Sequence, residues 1–542
     1  GEYEERTREA GLHRWYVLEY NPEKSMTKAA DGLIISGVNE VEYCPKLSIV
    51  GNPTVVSYAD ASTKAASGSY PFDDPQLSAQ WHYYNNGTVS SSVSGCDINV
   101  FPVWRNYSNY AQFTGDIVVG VVDGGIDYNH EDLKANMWKN PEKTGDNAYG
   151  YNFASSSYNI HAEDHGTHVA GTISAVNNNG KGVCGVAGGN SKKGVKGAKL
   201  MSCQIFDGEK QGSATEAIKW SADHGAVISQ NSWGYTEVTT APSSLKSAVD
   251  YFIKNAGCDK NGKQRSDSPM KGGIVIFAAG NDSKNTSSSD YDGMVSVTSV
   301  GADYKRAYYT NYGSWCDVAA PGGDVKKGNQ VLSTLPGNKY GKMQGTSMAC
   351  PHVSGVAALG LSYMKKLGKT CTKDEFKSML LTSVNDMNAQ CLGIKQTCLY
   401  AANYAIGPLS LSKYRGKMGT GSIDAWKFLM NIEGTPCLTA VVGLEQAVSL
   451  ESIFGGSYSS LKYLGVDISD EDYRALDLAA MPEIKAGRLV ICPKKSGNVK
   501  ITINAVAGGQ TPGNGENMGG LTISKTVSLV ARGVSSENGG WL

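Results

Sequence analysis

Long apolar runs are missing from this 542-residue chain, and neither sign of charge prevails in it. The most apolar stretches, such as 117–122, fall far short of the roughly 18–20 residues that span a bilayer, so no transmembrane segment is expected. Fifty basic against 51 acidic residues leave a formal net charge of −1. A nucleic-acid or membrane-surface binder would carry a basic face, and both classes are disfavoured. Cysteine is scarce for a disulfide scaffold, at 12 residues. None sit as C-x-x-C, which argues against a zinc ribbon or a thioredoxin-type site, and spacing leaves the pairing open. Gly1 is not an initiator, and no basic segment leads into an apolar one, so a trimmed chain is expected. Charged residues reach only 19%, below the usual ~25%. With 65 Gly and 29 Tyr, that points to a loop-rich exported protein.

Three regions follow one another. Residues 1–71 read as a small α+β unit and linker: 15–20 is a strand run rich in aromatic and β-branched residues, Ser25 can cap a helix to about 35, and 38–50 is a second extended stretch. Residues 57–69, rich in Ser and Ala, read as a linker. From 72 to 434 short apolar runs (116–122, 199–206, 273–279) alternate with helical stretches (168–176, 215–224, 242–255). That alternation predicts an α/β domain with a parallel sheet covered on both faces. From 435 to 542 the helices stop, and strand-like runs at 438–442, 446–453, 488–492, 499–505 and 521–531, with a long loop at 508–520, predict a small β-sandwich.

Three motifs place a reactive side chain where an α/β sheet gathers its chemistry. An apolar strand ends in Asp123, followed by a Gly pair that lets the chain turn. His165, in Asp-His-Gly-Thr-His-Val-Ala-Gly-Thr at 164–172, opens a helix. His165 and His168 stand three apart, but no third ligand lies nearby and zinc proteases space their histidines by four. A metal is therefore disfavoured, and His168 is expected to bond to backbone. Ser347, in Gly-Thr-Ser-Met-Ala at 345–349, sits at a helix N-terminus, where free N–H groups favour a developing anion. The surrounding sequence is not the G-x-S-x-G elbow. Asn281 follows another strand end. Each alone reads as a turn or cap. Together they supply a nucleophile, a base, a carboxylate to orient the base and an oxyanion donor.

With Asp-Gly-Gly-Ile-Asp at 123–127, His-Gly-Thr-His-Val-Ala-Gly at 165–171 and Gly-Thr-Ser-Met-Ala at 345–349, the chain resembles the subtilisin-like serine proteases over roughly residues 72–433. The resemblance implies an α/β fold with a subtilisin-like parallel sheet, catalytic Asp123, His165 and Ser347, and Asn281 in an oxyanion hole. Ser232, Trp233, Gly234, Ala279 and Gly280 would line the substrate strand and cleft. No cofactor is implied for catalysis. Asp132, Val176 and Asn178 resemble calcium-site segments, although the Asn-rich loop is one residue longer than the family pattern and the N-terminal ligand has no match. Residues 1–71 resemble a propeptide, expected to inhibit the enzyme until cleaved between about 51 and 72. Partners would be protein or peptide substrates bound as an extended strand.

Two other readings are weighed. A convertase with a basic-residue preference would need an acidic pocket, whereas Tyr-Thr-Glu follows Gly234. A protease-fold adhesion protein, with the C-terminal sandwich as its working part, has no need of four intact catalytic groups.

Overall fold

The computed structural model describes residues 2–18, 38–49, 56–57, 70–107, 117–236, 238–387, 395–399, 406–450, 453, 462–507 and 521–533. The helix expected over 25–35, most of the 57–69 linker and the 508–520 loop lie outside these.

A ten-stranded sheet organises the middle of the chain. Its order is Val384–Asn385, Ser422–Ile423, Val318–Pro321, Met294–Val300, Ile274–Ala278, Ile228–Asn231, Val118–Gly124, Lys199–Asp207 and Gly150–Asn152, with Lys210–Gln211 folded back on Lys199–Asp207. The seven pairings from Ser422–Ile423 through Gly150–Asn152 are parallel. The sheet is mixed rather than wholly parallel, because Val384–Asn385 and Lys210–Gln211 pair antiparallel at its margins.

Both faces are covered, and side-chain alternation explains how. Val119, Val121, Ile276 and Ala278 face one apolar cluster, which includes Val169, Ile173, Val353 and Ala357 from the helices Asp164–Ser174 and Thr346–Lys366. Val122, Met201, Cys203, Val275 and Phe277 face the other, with Ile218 and Leu245 from Ala214–Asp223 and Ser243–Asn255.

At the N-terminus the helix Glu4–Glu9 carries almost no apolar periodicity. It is held by tertiary contacts instead: Arg6 is buried, donates to the Tyr251 hydroxyl at 2.6 Å and pairs with Asp223. Residues 15–18 form no strand, contrary to the aromatic pattern, and among the described residues 38–49 only Leu47–Ile49 is extended in a sheet.

The C-terminal region is built of two sheets, Cys437–Val441, Leu521–Arg532, Gly497–Ala507 and Lys462–Asp467 in one, and Gln446–Ser449, Arg488–Ile491 and Glu483–Lys485 in the other. Together they enclose a core of Leu489, Ile491, Ile501, Ile503 and Leu529. Helix does not stop at 434: Asp470–Ala475 is helical, capped by Ser469, whose hydroxyl accepts from Asp472 N. Ten cysteines among the described residues are free thiols.

Candidate active site

Strand register brings the candidate residues to one edge. Val122 stands opposite Asn231, and Phe277 opposite Asn231 on the other side. The carboxyl ends of three neighbouring strands therefore deliver Asp123, Ser232 and the Ala279–Asn281 segment side by side, where parallel α/β sheets collect their ligands.

Asp123 is fully buried. Its Oδ1 accepts from its neighbour Gly124 N at 2.7 Å and from His165 Nδ1 at 2.7 Å. That bond fixes the tautomer: the proton sits on Nδ1, and Nε2 carries the lone pair. His165 Nε2 is buried and makes no hydrogen bond. His168 does not join His165 in a metal site. Its Nε2 faces the carbonyl oxygens of Val331 and Gly341 at 3.2 and 3.1 Å, and burial lowers its pKa to about 3.

Ser347 is the second residue of the helix Thr346–Lys366. Gly345 caps that helix at φ 148°, a conformation that L side chains rarely adopt. Pro351 lies inside the first turns of the helix. It has no N–H to return to the carbonyl four residues back, which is that of Ser347. That carbonyl instead accepts from Ser232 Oγ at 2.9 Å, while Ser347 Oγ donates to the Ser232 carbonyl at 3.1 Å. Ser347 is thus doubly tied to the start of the strand Trp233–Tyr235.

Asn281 Oδ1 accepts from both Thr346 N and Thr346 Oγ1 at 2.9 Å. The amide is held with its oxygen toward Thr346, which turns the Nδ2 donor the opposite way. Just before it, Gly280 has φ 108°, and a Cβ there would stand 2.2 Å from Asn311 Nδ2. Only glycine fits. Thr346 and Asn311 were not singled out from sequence, because a flanking Thr and a distant Asn carry no motif of their own.

The strand Trp233–Tyr235 is occupied. Leu47–Ile49 pairs with it antiparallel, Leu47 opposite Tyr235 and Ile49 opposite Trp233. Further along, Val56–Ser57 pairs with Lys339–Met343, the strand that leads into Gly345 and Ser347. The chain's own N-terminal region therefore lies against both approaches to Ser347. Glu42 caps the helix Ser243–Asn255, its carboxylate accepting from Ser244 N at 3.3 Å.

Asp132, Val176 and Asn178 come together around a fourth residue, Asp74, which was not foreseen. Asp132 accepts from Asn179 Nδ2 at 2.6 Å and from Val183 N at 3.0 Å, and its backbone oxygen accepts from Val176 N at 2.8 Å. Asp74 accepts from Asn178 N at 2.7 Å. Burial pushes Asp74 up to about 7 and Asp132 up to about 8, the nearby Asp74 adding to the latter. Among the described residues no lysine or arginine pairs with either carboxylate. Two buried carboxylates without a counter-charge, beside an Asn-rich loop, suit a hard divalent cation.

The sequence profile of the Subtilase family matches residues 114–398, just over half of the chain. The chain belongs to the subtilase family. An extracellular basic protease of Dichelobacter nodosus is 31% identical over 386 residues, which cover 63% of this subtilase and 56% of that protein. A thermophilic serine proteinase of Bacillus sp. (strain AK1) is 32% identical over 263 residues, 46% of this chain and 55% of its own length. The major intracellular serine protease of Bacillus subtilis (strain 168) is 34% identical over 254 residues, 46% and 69% respectively. The chain thus spans little more than half the length of the first two.

Proposed function

We propose that this subtilase is a serine endopeptidase, made as a self-processing proenzyme. The reading rests chiefly on the buried Asp123–His165 pair at the same sheet edge as a serine that opens a helix. In this mechanism Ser347 Oγ attacks the scissile carbonyl and passes its proton to His165 Nε2. Asp123 holds Nδ1–H and stabilises the imidazolium. Asn281 Nδ2 and Ser347 N–H hold the oxyanion. His165 then protonates the leaving amine, and water repeats the sequence on the acyl-enzyme. Ser232, Trp233 and Gly234 receive the substrate as an added strand, with Ala279 and Gly280 across the cleft. Labelling of Ser347 by a fluorophosphonate probe tests this directly; a folded protein that takes up no label contradicts it. Asn281→Ala should lower kcat by ~10²–10³, a range carried over from subtilisin, with little change in KM in a steady-state assay.

The N-terminal region serves as the propeptide. The pairing of 47–49 and 56–57 on the two approaches to Ser347 supports a maturation bond among those joining residues 49 to 56, a range that starts just upstream of the interval of about 51 to 72 suggested by sequence. The buried Arg6 pair and the Glu42 cap would keep the released segment bound as an inhibitor. Residues 72–434 form the catalytic unit, and 435–542 an accessory β-sandwich.

Structural calcium is proposed at Asp132, Asn178 and the Val176 carbonyl, with Asp74 as the further ligand; bound there, it would supply counter-charge and no catalysis. At ligand concentrations 100- to 1,000-fold above Kd, such a site stabilises by about 3–4 kcal/mol. Calcium should therefore raise Tm relative to a chelator, and Asp132→Asn should remove the difference. Equal melting of wild type in both conditions would exclude the site. We place the protein outside the cell, as its composition and its similarity to the extracellular basic protease of D. nodosus suggest; among the described residues no helix is long and apolar enough to cross a membrane.

A further inference from the structure

One side of the bound N-terminal segment is gripped by a strand, and the other by a single side chain. Lys210–Gln211 folds back on Phe206 and Asp207, so its main chain belongs to that hairpin. The Gln211 side chain reaches across instead: Oε1 accepts from Leu47 N at 3.0 Å, and Nε2 donates to Leu47 O at 2.7 Å. A carboxamide carries the same donor and acceptor as a peptide group, so Gln211 acts as one residue of a neighbouring strand. The Leu47 side chain is meanwhile buried, 6% exposed, in the apolar cluster that holds Phe206 and Trp233. Peptide and side chain are both fixed at this one position.

We propose that Gln211 is a substrate-binding residue of the peptidase: its amide clamps the backbone N–H and C=O of whichever residue of an extended substrate takes the place of Leu47. The assignment rests on the proposed function, with the N-terminal segment lying as a substrate lies. Gln211 itself reads only backbone, so side-chain preference at this position is left to the apolar cluster that receives Leu47. A residue without N–H, proline or an N-alkylated one, is selected against.

The test uses the processed full-length enzyme and two synthetic peptides. One reproduces residues 45–57; the other has Leu47 replaced by its α-hydroxy acid, so that an ester oxygen stands where the N–H was. Each hydrogen bond contributes modestly, and the pair should be worth about tenfold in kcat/KM. Gln211→Ala is expected to cut the amide peptide about tenfold more slowly, chiefly through KM. Wild type should lose a similar factor on the ester, while Gln211→Ala loses about twofold or less. That residue comes from the Lys46 carbonyl, which the ester also weakens and which accepts from Thr236 N at 3.0 Å. Full activity of Gln211→Ala, or an ester penalty undiminished in it, overturns the assignment while leaving the peptidase reading intact. Failure of wild type to cut either peptide, with no fluorophosphonate labelling of Ser347, overturns the proposed function itself.

Discussion

Ser347→Ala is expected to lower kcat by about 10⁶-fold; the magnitude is subtilisin's own and is transferred to this member of the family. The physical reason is local. Among the described residues the other hydroxyls at this edge are committed elsewhere: Ser232 Oγ donates to the Ser347 carbonyl and Thr346 Oγ1 to Asn281 Oδ1. What survives should be the background from the oxyanion donors and binding alone. Stability should change little, since the serine carbonyl that holds the strand Trp233–Tyr235 through Ser232 Oγ belongs to the main chain and survives the substitution. His165→Ala should cost nearly as much, and the double variant no more than either, because the groups act as one unit. Steady-state kinetics on a peptide substrate, beside a melting curve, checks both halves.

Arg532→Met should be the most damaging single change for stability. Arg532, near the end of the C-terminal sandwich, is buried, and its Nη2 lies 3.5 Å from Asp424 Oδ2. Asp424 is fully buried and is also held by Asn99 Nδ2 at 2.9 Å and Asn385 Nδ2 at 3.0 Å. Asp97 lies close to the same guanidinium. Burial raises its carboxyl to about 6, and the Arg532 charge counters that rise. Around this cluster Ser94 bonds to Ser496 at 2.6 Å and Trp426 Nε1 to Ser528 at 2.7 Å. Removing the cation leaves buried carboxylates unpaired, at a cost of roughly 3–5 kcal/mol. For one cooperative body of about 470 residues that corresponds to a Tm lower by roughly 3–5 °C. An unchanged Tm would mean that the sandwich is only tethered to the catalytic unit. The expected loss makes it part of one cooperative body.

The edge proposed as catalytic was legible as an arrangement because its residues sit in motifs, each beside a strand or helix end that hydrophobic pattern alone could locate. The strand expected over 116–122 is found at Val118–Gly124, and that over 273–279 at Ile274–Ala278. Other features depend on partners distant in sequence. Asp74 meets the 176–179 loop from about 104 residues away, and no local pattern announces that meeting. Glu4–Glu9 is polar throughout and becomes a helix only where Arg6 finds Asp223 and Tyr251. Gln211 is a lone amide in a hairpin. Short edge strands such as Glu483–Lys485, with 3 residues against the 11 of Gly497–Ala507, are too short for alternation to mark them.

The most direct measurement is the intact mass of the purified protein over time, for wild type and Ser347→Ala in parallel, with the new N-terminus sequenced. Wild type should lose an N-terminal fragment ending among residues 49–55, and the variant should remain whole. A wild-type chain that stays intact and unlabelled by a fluorophosphonate, or a variant cut at the same bond and rate, would contradict self-processing through Ser347.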